Sequence, residues 1–203
     1  MNGPISIEKE LGALRLAAGR GDVNGCWDAT QQLLRRLPSS QGLRLAQEFV
    51  SRRLTTFERH QPDVHWPREF IESVADAARS PDSRSWPEAE SDFPGPGANS
   101  FIAAVEALWK AGHLLDDEGK RGELLADAIE RAVSAERLEY WGSRHPEAWA
   151  RWYQAAASGS DDVSRFEILA TIKRDPDAAC VEREAWLEVA QLLQEELSAA
   201  AQG

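Results

Sequence analysis

The chain has 203 residues, 42% of them hydrophobic and 28% charged, a composition that excludes a disordered segment and leaves room for a sizeable core. No apolar run approaches the roughly 20 residues that a membrane-spanning helix needs. The formal net charge is −11, and its placement is uneven: residues 1–79 hold 10 acidic and 11 basic side chains, residues 80–203 hold 24 and 12.

In chain order the periodicity is helical. Glu8, Lys9 and Glu10 stand where a signal peptide would carry its apolar stretch, which points to a cytoplasmic location. Ile7, Leu11, Leu14 and Ala18 form one helix face, with Pro4 suited to its start and Gly19 to its end. A second helix follows Asp22 as N-cap, with Val23, Cys26, Thr30, Leu33 and Leu37 on one face and Pro38 as its stop. The stretch from Ser39 to Pro62 predicts a third, with Leu43, Ala46, Val50, Leu54 and Phe57 inward. A fourth starts near Trp66-Pro67 and carries Phe70, Ile71, Val74 and Ala78. No alternating β-branched run of strand length occurs.

Residues 80–100 break the pattern with four prolines and two glycines, which a continuous helix does not tolerate. The charge balance changes at the same place. This gives the expected organisation: a near-neutral helical part over 1–79, a Pro/Gly-rich loop or linker over 80–99, and an acidic helical part over 100–203, or all three in one domain. Trp86 and Phe93 within the loop either pin it to the body or serve as docking side chains.

Five more helical segments follow, among them those carrying Phe101, Val105, Leu108 and Trp109, and then Leu125, Ile129, Ala132 and Val133. The fold class is therefore all-α, with eight or nine helices in a bundle or short irregular array of helical hairpins. Proline followed by an acid recurs at segment starts, as in "HPEA" and "DPDA", because proline has no N–H to lose there and the acid favours the positive end of the helix dipole. These starts have no fixed period, so a regular solenoid is not indicated. Arg outnumbers Lys 19 to 4 and alanine is abundant, a bias read as that of a GC-rich bacterial genome.

Trp149, Trp152 and Tyr153 fall at i, i+3 and i+4 behind Pro146, the spacing of a packing stripe. Only Arg144 and Arg151 lie near, so base stacking, which interleaves aromatic with basic residues, has little support. A partner hot spot is the alternative. Arg35, Arg36, Arg44, Arg52, Arg53 and Arg59 form the strongest basic stretch. Glu48 stands four residues from both Arg44 and Arg52, so pairing along a solvated helix face competes with contact to phosphate or to an acidic partner.

Metal-site signals are sparse. His60, Asp63 and His65 lie in a proline-containing turn, and His113 and Asp117 are four apart without further ligands of the right spacing. The carboxylate pairs Glu69/Glu72, Asp127/Glu130 and Glu136/Glu139 are each three apart, but magnesium needs several converging oxygens, the ExxE followed by ExxD arrangement of helical magnesium hydrolases is absent, and these acids fall opposite the apolar stripes. Cys26 and Cys180 are expected as free thiols; Cys26 falls on an apolar helix face, and Cys180 sits near a helix start without the neighbouring histidine of a nucleophile. No catalytic residue, metal or cofactor is assigned.

The reading is a non-enzymatic protein–protein interaction module: an adaptor, a complex subunit, or an inhibitor of the antitoxin or immunity type. Its acidic part would face a basic partner, with Trp86, Phe93, Asp116, Asp117, Glu118, Trp149 and Trp152 as candidate contacts. One alternative is a small subunit of a nucleoprotein complex using Arg35 to Arg59. Another is a metal-dependent hydrolase built on helix carboxylates.

Overall fold

A computed structural model describes residues 4–77, 92–113, 117–157 and 163–200. Among these residues the protein is all-α, with nine helices and no strand. They are α1 (Pro4–Arg20), α2 (Val23–Leu34), α3 (Ser39–His60), α4 (Trp66–Ala77), α5 (Ala98–His113), α6 (Glu118–Arg144), α7 (Pro146–Ala157), α8 (Val163–Arg174) and α9 (Pro176–Ala200).

Local chemistry sets most of the boundaries. Asp22 caps α2, its Oδ1 accepting from Gly25 N at 2.9 Å, and Asp117 caps α6 in the same way through Lys120 N. Pro146 and Pro176 occupy the first position of α7 and α9. α2 stops at Leu34, three residues before the expected Leu37. The residue preceding Pro38 is disfavoured in the helical region, and Arg36 N and Leu37 N instead bond to Leu33 O and Leu34 O in a tightened last turn.

The 27-residue α6 runs through the middle of the bundle and packs against α2, α3, α5 and α9. Its most extensive pairing is with α5, the helix that precedes it. Ala98, Ala104, Ala107 and Ala111 on α5 and Ala128, Ala132 and Ala135 on α6 are all buried, and such small side chains let two helix backbones come close. The closest approach is at Gly97, whose φ is +73° and where a Cβ would lie 2.2 Å from Ala135 O. Only glycine fits both the backbone conformation and the space.

One cluster of buried side chains runs from Leu11 to Leu197 and draws on α1 to α6 and α9. Phe49, Phe101, Leu108, Ile129, Trp186 and Leu193 are among its large, fully enclosed members. Residues on both sides of the 80–99 segment thus share one core. A second, smaller cluster joins α7 and α8 to the end of α6 and the start of α9 through Trp141, Trp149, Ile172 and Ala178.

Candidate functional site

The basic stretch and the acidic part meet. Arg44 reaches Glu196 at 2.6 Å, and Arg52 reaches Glu188 at 2.5 Å and also pairs with Glu48. Arg53 pairs with Glu136 at 2.9 Å and with Glu188 at 2.7 Å. Arg35 stands 3.7 Å from Glu123 and Arg59 3.9 Å from Glu139. Arg36 instead clasps Glu10 of α1 with both ends of its fork. Five of the six arginines therefore point at carboxylates of α6 and α9. Arg44 and Arg52 are eight residues apart, as are Glu196 and Glu188, so the two helices lie antiparallel along this seam.

Arg53 is the anchor. Its residue surface is 7% exposed, the guanidinium lies 3.6 Å over the Phe49 ring, and it also donates to Phe49 O at 3.0 Å. A buried cation of this kind is tolerated only when every donor direction is met. Burial alone would push the Glu188 carboxyl up, but hydrogen bonds and charge from Arg53, then Arg52, outweigh it and hold the group below the ordinary carboxylate range.

A cleft of about 390 Å³ opens beside this network, between α3, the turn before α5, α6 and α9. Phe57, Phe101, Ala135 and Val181 supply apolar surface, and Arg52, Arg53, His60, Glu136, Glu139 and Glu188 supply the charge. Glu139 is the least compensated carboxylate. Its Oε1 accepts from Ser143 at 3.0 Å, His60 Nε2 lies 3.4 Å away, and the Arg59 guanidinium stands further off at 3.9 Å. Pro96 and Gly97 complete the wall, and the Trp149 indole holds that turn by donating to Pro94 O at 2.8 Å.

The aromatic stripe of α7 is mainly packing. Trp149 is 7% exposed, and its ring centroid lies 4.8 Å from that of the half-buried Trp152. Phe93, expected either to pin its segment or to dock a partner, is 3% exposed and meets Phe57 edge-on at 5.5 Å. It is a core side chain because the segment carrying it folds back over α3. Asp117 is exposed, with its side chain engaged in capping. Trp86, Asp116 and the side chain of Glu118 lie outside the described residues.

The metal candidates separate. Asp63 and His65 are exposed while His60 turns toward Glu139. His113 Nδ1 is bonded to Trp109 O at 2.8 Å, with its ring against the Trp109 indole. Asp127 accepts from the Trp27 indole at 2.8 Å. Among the described residues no group of three or more histidine, cysteine or acidic side chains converges to hold a metal ion, and no helix is long and apolar enough to cross a membrane.

Periodicity missed the cleft because its walls come from four stretches of chain. The matched eight-residue spacing of Arg44/Arg52 and Glu188/Glu196 was the one readable signal of the seam. Compared with protein-family models, curated proteins and solved structures, the chain matches none of them.

Proposed function

We propose that the protein is a non-enzymatic helical interaction module, an adaptor, complex subunit or inhibitor of the antitoxin or immunity type, that receives a basic element of another protein in the α3/α6/α9 cleft. The observation that carries this reading is Glu139. It sits on the rim of a cleft with an apolar floor, beside a guanidinium network already directed at Glu136 and Glu188. An incoming arginine or lysine would find there a carboxylate whose guanidinium neighbour, Arg59, stands 3.9 Å away, and its stem would lie over Phe57 and Phe101. The formal charge of −11 adds long-range attraction for a basic surface.

The nucleic-acid alternative draws no such support. A phosphate approaching Arg44, Arg52 or Arg53 would have to displace carboxylates already within 2.7 Å.

The test is affinity capture from nuclease-treated extract of the native host at two salt concentrations, with the full chain and its Glu139→Lys variant. A stoichiometric protein partner is expected with the native chain at low salt, and weakened both by salt and by the charge reversal. A partner retained equally by both chains at both salts, or no partner at all, would overturn the reading.

A further inference from the structure

The α7/α8 hairpin is joined to the bundle by two single-residue joints. His145 alone separates α6 from α7, and Asp175 alone separates α8 from α9. A proline follows each joint, Pro146 and Pro176, so neither pair of helices closes into one continuous helix. The two joints lie side by side, with His145 Nε2 3.9 Å from Asp175 Oδ2. We propose that the hairpin swings about this pair of joints as a latch on the α3/α6/α9 cleft, its release and the loosening of the cleft wall at Pro96 and Gly97 being one event. The coupling does not depend on what the cleft receives.

α7 grips the segment that forms that wall. The Trp149 indole donates to Pro94 O at 2.8 Å, and the Tyr153 hydroxyl hydrogen-bonds the Asp92 carboxylate. Asp92 also accepts from Asn99 Nδ2 at 2.8 Å, and Asn99 Oδ1 accepts from Phe93 N at 2.7 Å. Pro96 lies against Gly142, near the end of α6, where a Cβ would meet Pro96 Cβ at 2.5 Å and the Trp149 ring at 3.2 Å. The wall is thus held between α6 and the indole. A swing of α7 withdraws the indole and the Tyr153 bond together.

Packing energetics make the hairpin the part that moves. Among the described side chains of α7 and α8, only Trp149 and Ile172 are buried, and they pack with Trp141 and Ala178 beside the joints, apart from the main core. Trp152, Tyr153, Ile168 and Leu169 are half-buried. A unit that buries little apolar surface opens at a lower free energy than the fold as a whole. Arg137 of α6 ties the end of α8 to the pivot, donating to Ile172 O at 3.0 Å while it reaches Glu182 of α9 at 2.7 Å. Short joints that absorb a rotation while packed helices stay rigid are the usual construction of a hinge. By linkage, a binder that favours the released hairpin also favours the open cleft.

The test is hydrogen exchange followed by mass spectrometry on the full chain, comparing the native protein with Tyr153→Phe and Trp149→Phe. Tyr153→Phe removes one hydroxyl from a half-buried ring, and Trp149→Phe keeps an aromatic ring without the donor. The amides of Ala98 and Phe101, bonded to Gly95 O and Gly97 O, report the wall, and that of Trp149, bonded to His145 O, reports α7. In either variant, peptides covering 92–101 and 146–157 should exchange faster by the same factor, about fivefold or more for one lost hydrogen bond, with α3 and the middle of α6 unchanged. Faster exchange in 146–157 with 92–101 unchanged would show that α7 does not hold the wall. Equal acceleration across α3 and α6 would show that the hairpin has no opening of its own. Either result, or no change in any segment, overturns the proposal.

Discussion

Replacing Arg53 by methionine tests whether the seam between α3 and the α6/α9 pair supports the fold. Methionine keeps an unbranched stem of similar shape and removes the charge and all its donors. Deleting one member of a fully buried ion pair costs about 3–5 kcal/mol, because the other charge is stranded. Here the stranding is partial: the Glu136 and Glu188 side chains are 40% and 31% exposed, and Arg52 still reaches Glu188 at 2.5 Å. Phe49 O also loses a donor, which costs about 1 kcal/mol. The expected loss is thus about 2–3 kcal/mol, below the fully buried figure.

The pH dependence carries a sign of its own. Glu188 is held below its ordinary value in the folded chain. Its pairing therefore adds stability that is fully present above the unfolded carboxylate value and is lost as pH falls through the folded one. The gap between native chain and variant should stay level from neutral pH down to about 5 and shrink below about 4. Urea unfolding followed by circular dichroism across that range measures it. A gap under about 1 kcal/mol at neutral pH, or one that does not narrow in acid, would refute the idea that Arg53 and Glu188 form a closed network.

Two smaller outcomes follow from the same structure. Gly21 and Gly97 both have positive φ, but a Cβ at Gly21 meets open space whereas one at Gly97 meets Ala135 O at 2.2 Å. Gly21→Ala should cost about 1–2 kcal/mol and Gly97→Ala clearly more, and equal melting temperatures for the two would refute the close approach of α5 and α6. Cys26 is buried, and its thiol is pushed up to about 12 by burial first and then by the carboxylates of Asp22 and Glu182. A thiol reagent at neutral pH should therefore modify Cys180 alone in the native protein and both cysteines in urea, and rapid modification of both without denaturant would contradict the packing of α2.

Local rules carried the helices. Asp22, Pro146 and Pro176 mark starts because capping and proline chemistry act within one turn, and the inward faces of α3 and α5 follow from spacing alone. Non-local matters were less legible. α6 begins at Glu118, before the first inward residues of its stripe, because Asp117 caps it from outside the hydrophobic pattern. Arg53 bonds across 83 and 135 residues of sequence, and no window-based argument distinguishes it from the solvent-facing Arg52 beside it. The cleft depends on those distant meetings, so its residues could be named in part, as Arg52, Arg53, His60, Glu136 and Glu139, but not gathered.

The uneven charge along the chain has an internal explanation. Along the sequence, the basic stretch near the start and the acidic surplus after residue 80 stand apart, as a phosphate binder joined to a polyanion would. In the folded bundle they are the two faces of one seam. Arg44, Arg52, Arg53 and Arg59 are directed at Glu196, Glu188, Glu136 and Glu139, and opposite charges so arranged fix the register of α3 against α9 as interhelical charges do in coiled coils. The pairing is tight at Arg44, Arg52 and Arg53 and loosens toward Arg59, whose distance to Glu139 is 3.9 Å. The cleft takes in that looser end, so Glu139, whose guanidinium neighbour stands furthest off, lines its wall beside the closed pairs of Arg52 and Arg53.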